Sequence, residues 1–186
     1  RSTWSWSLLS TTTAQSVTCA ASFVVRVPVL SLSKRVNAST ADASDTILYT
    51  LTITHSSTSQ ADAFNISFVD VPHPVLPLVP GSLKLTALTG FPNSALTISS
   101  GNTTGDTSLL FTVSSLPRNA TSFTLTYRAV VNSNVTAATV ATNTLLATYW
   151  SLPSSSTAYQ AYHQLGMLPS ISASATVTIL SPIVTL

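Results

Sequence analysis

Thr46-Ile47-Leu48-Tyr49-Thr50-Leu51-Thr52-Ile53-Thr54 alternates almost without a break, with Ile47, Tyr49, Leu51 and Ile53 on one side and Thr46, Thr50, Thr52 and Thr54 on the other. Side chains of a strand point alternately to opposite faces, so this pattern specifies a strand with one face in a core and one in solvent. The same signature recurs on both sides of it. Ala63 to Val71 places Phe64, Ile66 and Phe68 on one face, and Ser122 to Val131 places Phe123, Leu125, Tyr127, Ala129 and Val131 on one face. Further strands are expected at Val17–Val27, Val29–Lys34, around Leu83 and Leu85, at Leu109–Val113, Val140–Trp150 and Ser172–Leu180, with polar turns between them. Pro72, Pro74, Pro77 and Pro80 cannot donate to a ladder, so 72–80 reads as an extended crossing loop, and 90–105 as a Gly/Asn/Ser/Thr loop. Eight or nine short strands separated by turns describe an all-β fold, a two-sheet antiparallel Ig-like β-sandwich with an N-terminal strand-forming extension.

Composition supports the same class. Of 186 residues only 6% are charged, no Glu is present, and Ser and Thr together number 61. That depletes good helix formers and enriches residues suited to a half-buried pleated surface. So little charge leaves the surface needing another hydrated group, and covalent N-glycans are the expected one. Five sequons begin at Asn37, Asn65, Asn102, Asn119 and Asn134. The formal charge of +2 comes from scattered residues, with Lys34-Arg35 the one basic pair, so there is no nucleic-acid footprint. No run of 18 apolar residues predicts membrane insertion. A start at Arg1 fits a processed secreted protein or a segment of a longer one. The single cysteine, Cys19, excludes an internal disulfide framework and reads as a small buried residue.

A short stretch occurs twice. Ser22–Leu32 returns position for position as Thr176–Leu186, and Trp6-Ser7-Leu8 before a Ser/Thr tract is echoed by Trp150-Ser151-Leu152. Repetition of this kind suggests stacked units. The expected organisation is residues 1–27 completing a preceding or neighbouring unit, 28–181 forming one sandwich repeat, and 182–186 starting the next. Val17, Phe23, Val25 and Val27 would then be assembly-strand residues inserted into another sandwich.

Taken in order, Leu30-Ser-Leu-Ser-Lys34, Asp45–Thr54, Phe64-Asn-Ile-Ser-Phe-Val-Asp70-Val-Pro72, Val79-Pro-Gly-Ser82, Ser122–Tyr127 and Thr142-Asn143-Thr-Leu-Leu-Ala147 resemble the Ig-like conserved surface-repeat domain, a family of unknown function found in tandem on large cell-surface proteins. The resemblance covers about residues 28–181. The Pro-rich 72–80 loop and an insertion around 153–169 depart from the pattern, so nothing borne on those loops carries over. The resemblance implies an extracellular structural or adhesive module.

One set of residues invites chemistry. Lys34 on the first strand of the sandwich, Asp70 on a middle strand and Asn143 on a late one match the arrangement from which some Ig-like surface domains form a Lys–Asn isopeptide bond. A deprotonated Lys34 would attack the Asn143 amide while a protonated Asp70 polarises it, and burial favours the neutral form of both ionisable groups. The alternative is a Lys–Asp ion pair beside a turn-capping Asn. His55, His73 and His163 lack metal-ligand spacing, no Gly-x-Ser-x-Gly elbow is present, and five Asp make a poor source of paired carboxylates. The chain therefore reads as a non-enzyme without cofactor or metal. Trp4, Trp6, Tyr159 and Tyr162 suit an interface or a sugar groove. The expected function is a structural subunit of an extracellular, glycosylated fibril or cell-surface stalk, assembling head-to-tail with copies of itself by strand complementation. The second expectation is an adhesin or carbohydrate-binding module with 153–169 as its contact.

Overall fold

The computed structural model describes residues 3–5, 16–18, 22, 26–88, 96–119, 122–154 and 170–180. Phe23, Val25, Trp6, Cys19, Tyr159, Tyr162, His163 and the 182–186 segment lie outside them. Among the described residues twelve strands are formed: β1 Thr3–Ser5, β2 Ser16–Thr18, β3 Leu30–Val36, β4 Thr40–Ala41, β5 Thr46–His55, β6 Ala63–Val71, β7 Lys84–Leu88, β8 Leu96–Ser100, β9 Leu109–Leu116, β10 Phe123–Val130, β11 Val140–Trp150 and β12 Ile171–Ile179. Ten of them build two facing sheets, one of four strands in the order β3-β5-β10-β7 and one of six in the order β4-β12-β11-β6-β9-β8. Among the described residues there is no helix, and the architecture is an Ig-like β-sandwich. All ladders are antiparallel except the two-residue pairing of β4 with β12. The remaining pair, β1 and β2, is a separate two-stranded sheet with Trp4 opposite Val17.

The alternation read from the sequence sets the core. Ile47, Tyr49, Leu51 and Ile53 of β5 are buried, and so are Phe123, Leu125, Tyr127 and Ala129 of β10, with which they pair in register. Opposite them, Ile66 and Phe68 of β6, Phe111 and Val113 of β9 and Leu145 of β11 complete the interior. Phe68 stacks on Phe111 at 4.5 Å between ring centroids, and Phe123 approaches both from the other sheet at 6.5 and 6.3 Å. Aromatic pairs of this geometry add about 0.5–1.5 kcal/mol each beyond the area they bury.

Three local readings are corrected. Phe64 does not share the buried face of Ile66 and Phe68, because Asn65 takes φ 47° and β6 bulges there, setting Asn65 and Ile66 against Tyr149 of β11. The extra residue turns Phe64 half outward while keeping Ala63 and Ile66 inside. Secondly, the 90–105 loop contains β8, an edge strand paired to β9. Thirdly, of the strand expected over Val17–Val27, Val17 and Thr18 lie in β2, Ser22, Arg26 and Val27 carry no strand structure, and the rest lies outside the described residues. Val27 is 37% exposed, yet its carbonyl accepts from the Gln60 amide, while the Val29 amide donates to Ser59 Oγ. Among the described residues, hydrogen bonding of the sandwich thus reaches back to Val27. The 72–80 segment does cross from one sheet to the other, and it is anchored by a bridge from Leu78 to Ala129 and by the buried Leu76.

Candidate functional site

Lys34, Asp70 and Asn143 are all buried, and they meet between the sheets. Register explains the convergence. Tyr49 and Tyr127 face one another across β5 and β10, and Lys34 lies on β3 two residues from Val36, the partner of Tyr49. Lys34, Tyr49 and Tyr127 therefore share the inner face of the four-stranded sheet. Asp70 is paired with Leu145 of β11, and Asn143 is two residues from Leu145, so these two share the inner face of the six-stranded sheet. Closing the sandwich brings one set onto the other.

The Lys34 ammonium donates to Asp70 Oδ1 at 2.6 Å and Oδ2 at 2.5 Å, and to the Tyr127 hydroxyl at 3.2 Å. Tyr127 in turn donates to Asp70 Oδ2 at 2.8 Å and accepts from Asn143 Nδ2 at 2.6 Å. Its one hydrogen and two lone pairs are all engaged. Asp70 thus reaches Asn143 through the Tyr127 hydroxyl, a member of the site that the sequence reading had assigned only to the core. Lys34 Nζ also sits 5.0 Å from the Tyr49 ring centroid and 5.7 Å from that of Tyr127, within cation–π range. The two rings stack at 5.1 Å.

This environment disfavours charge. Burial lowers the Lys34 ammonium to about 8, against the opposing pull of Asp70. Burial likewise raises the Tyr49 hydroxyl to about 12, and burial together with the Asp70 charge raises Tyr127 well above the ordinary range. Both phenols therefore stay protonated wherever the protein is folded at ordinary pH. Asn143 Oδ1 and the Tyr49 hydroxyl are buried without a hydrogen-bond partner among the described residues. An orphaned buried carbonyl costs about 1–3 kcal/mol.

With fold and site in hand, the chain can be set beside known proteins. No protein-family model matches it, and no curated protein sequence does. Solved structures do. The T6 backbone pilin of serotype M6 Streptococcus pyogenes, described as a modular three-domain structure decorated with variable loops and extensions, superposes with a TM-score of 0.52 at 16% identity, over 81% of this chain and 36% of that one. The major pilin subunit of Bacillus cereus gives 0.54 at 10% identity, over 81% and 39%. The full-length major pilin of Corynebacterium diphtheriae gives 0.52 at 14% identity, over 80% and 34%. The likeness is one of fold. This chain spans between a third and two fifths of the length of each of those pilins.

The other candidate residues are dispersed. Asn37, Asn102, Asn119 and Asn134 are exposed on turns and loops, whereas Nδ2 of Asn65, the atom a glycan would occupy, is shielded in the β6 bulge. Among the described residues no group of three or more His, Cys, Asp or Glu could hold a metal ion, and no helix is long and apolar enough to cross a membrane. His55 and Ser59 lie 2.7 Å apart, a contact that spacing alone did not suggest. Since His55 Nε2 faces the Leu116 carbonyl at 3.0 Å it must donate there, leaving Nδ1 to accept from the Ser59 hydroxyl. Ser59, buried and holding the Val29 amide, ties the entry of β3 to the ends of β5 and β9. That is a clamp without an acidic third member, and it offers no activated nucleophile.

Proposed function

We propose that this chain is a structural module of an extracellular fibre or cell-surface stalk, and that its sandwich is locked by an isopeptide bond between Lys34 and Asn143. The observation that carries the reading is the buried Lys34–Asp70–Tyr127–Asn143 network, which links two strands of one sheet to two strands of the other. A protein with 6% charged residues rarely places a lysine, an aspartate and an asparagine together in a core for stability alone, since burying an ion pair is seldom better than burying hydrocarbon. A covalent tie between sheets gives a module that bears tension a reason to keep them. The pilin-like fold fits this role. Intact-mass measurement tests it: one ammonia, about 17 Da, must be missing from the purified protein, with a Lys34–Asn143 linked peptide after digestion. An unmodified mass ends the proposal.

Assembly is the second part of the reading. Among the described residues β1 and β2 pair with each other and with neither sheet of the sandwich, which supports residues 1–27 serving a neighbouring copy through head-to-tail strand complementation. Val17, Phe23, Val25 and Val27 are the proposed contact residues, and 182–186 the start of the next unit. The four exposed sequons would carry glycans that hydrate a surface poor in charge. Deleting residues 1–27 should leave folded monomers that no longer polymerise, and fibres that persist without them refute strand donation.

A further inference from the structure

We infer that the Tyr127 hydroxyl is the proton relay of the crosslinking reaction, carrying a proton from Asp70 to the departing nitrogen of Asn143; the inference rests on the Lys34–Asn143 bond proposed above. The geometry that assigns this role is one of connection. The nitrogen that must leave, Nδ2, is hydrogen-bonded to Tyr127 at 2.6 Å, and Tyr127 is bonded to Asp70 Oδ2 at 2.8 Å. That carboxylate holds the Lys34 ammonium through both oxygens. Lys34, Asp70, Tyr127 and Asn143 therefore form an unbroken chain from the nitrogen that loses protons to the one that gains one.

The balance is complete without any outside reagent. Lys34 transfers one proton to Asp70 and becomes an amine, whose lone pair forms a bond to Asn143 Cγ while the carbonyl π pair moves onto Oδ1. Asp70, now a carboxylic acid, donates to the Tyr127 oxygen, and the hydroxyl turns to donate to Nδ2, whose lone pair is freed as the amide carbon becomes tetrahedral. The Cγ–Nδ2 bond then breaks with its electron pair on nitrogen as Oδ1 reforms the carbonyl, so ammonia departs, and the second Lys34 proton returns to Asp70, leaving a secondary amide and a carboxylic acid.

Tyr127→Phe keeps the ring and its stack on Tyr49 and removes the relay. The time course of the loss of 17 Da, about one ammonia, is followed by intact mass in protein pulse-labelled during cell-free synthesis. The crosslink rate in Tyr127→Phe should fall at least about 100-fold, as expected for loss of a general acid. Tyr149→Phe, which removes a buried hydroxyl that accepts from the Leu30 amide, should crosslink at the wild-type rate. A trifluorotyrosine placed at 127 retains shape and hydroxyl but is more acidic, and should move the pH dependence of the rate. Wild-type crosslinking rates in folded Tyr127→Phe overturn the relay while leaving the bond intact, as does an unshifted pH profile with trifluorotyrosine should the phenylalanine variant fail to fold. A wild-type protein that never loses ammonia overturns the bond itself.

Discussion

Asn143→Ala is the substitution that isolates the value of the proposed crosslink, because it removes the electrophile and leaves the Lys34–Asp70 pair in place. Counting from 34 to 143, the bond closes a loop of about 109 residues, and restricting an unfolded chain over that length is worth about 5 kcal/mol. Losing the Asn143–Tyr127 hydrogen bond adds about 1 kcal/mol. For a domain of this size, a change of that order lowers Tm by roughly 10–20 °C. The assay is calorimetric or urea unfolding of wild type and variant at pH 7, each with its intact mass determined first. The entropy argument is refuted if wild type carries the bond and Asn143→Ala still unfolds within about 1 kcal/mol of it.

In that same uncrosslinked variant, stability should depend on pH in two opposed steps. Lys34 sits near 8 when folded and 10.5 when unfolded, so its term is fully favourable above 10.5 and is lost as pH falls through 8, a rise on the order of 3 kcal/mol that Lys34→Met should abolish. Tyr49 and Tyr127 are raised on folding, so their terms are complete below pH 10 and lost above it, and unfolding curves collected from pH 7 to 11 should pass through a maximum. In single-molecule pulling, the crosslinked domain should extend short of the uncrosslinked variant by roughly 370 Å, the contour of the locked segment at about 3.4 Å per residue. Equal lengths would exclude a covalent tie between 34 and 143. Gly101→Ala should destabilise by about 2 kcal/mol or more, since its φ is +102° and an added Cβ would come within 2.8 Å of the Leu109 backbone. An unfolding midpoint unchanged in urea contradicts that contact.

The parts of the fold that were legible in the sequence are those where one periodicity acts alone. β5 and β10 alternate cleanly because each has one face in the core along its whole length, and their burial follows residue by residue. The 64–68 reading failed at Phe64 because a bulge inserts a residue into the count, and nothing local marks Asn65 except its tolerance of positive φ. β8 was hidden for a different reason: at a sheet edge its residues are mostly exposed, so its pattern carries little apolar contrast. For the site, the identities of Lys34, Asp70 and Asn143 were accessible through family resemblance, while Tyr127 was not. Its ring satisfied the core pattern of β10, and alternation says nothing about what a buried hydroxyl meets on the opposite sheet. The available signal was chemical: a buried phenol requires a partner, and Tyr49 and Tyr127 are, with Tyr149, the buried core tyrosines among the described residues.

The unreacted arrangement is poor as a permanent feature of a core. Lys34 and Asp70 have both lost their water, and their mutual attraction at best repays part of that loss. Among the described residues Asn143 Oδ1 is buried without a donor. The ring faces around Lys34 Nζ favour a cation, yet burial works against one strongly enough to lower the group to about 8. Forming the proposed amide would remove the lysine charge outright and leave one Lys34 proton on Asp70, so the buried ion pair belongs to the reactants and is not required of the product. Under that proposal, the same apolar surroundings that make the ion pair expensive would keep solvent from the nucleophile and the proton path, and the reaction would wait on folding, because the sheets must close before the four side chains meet.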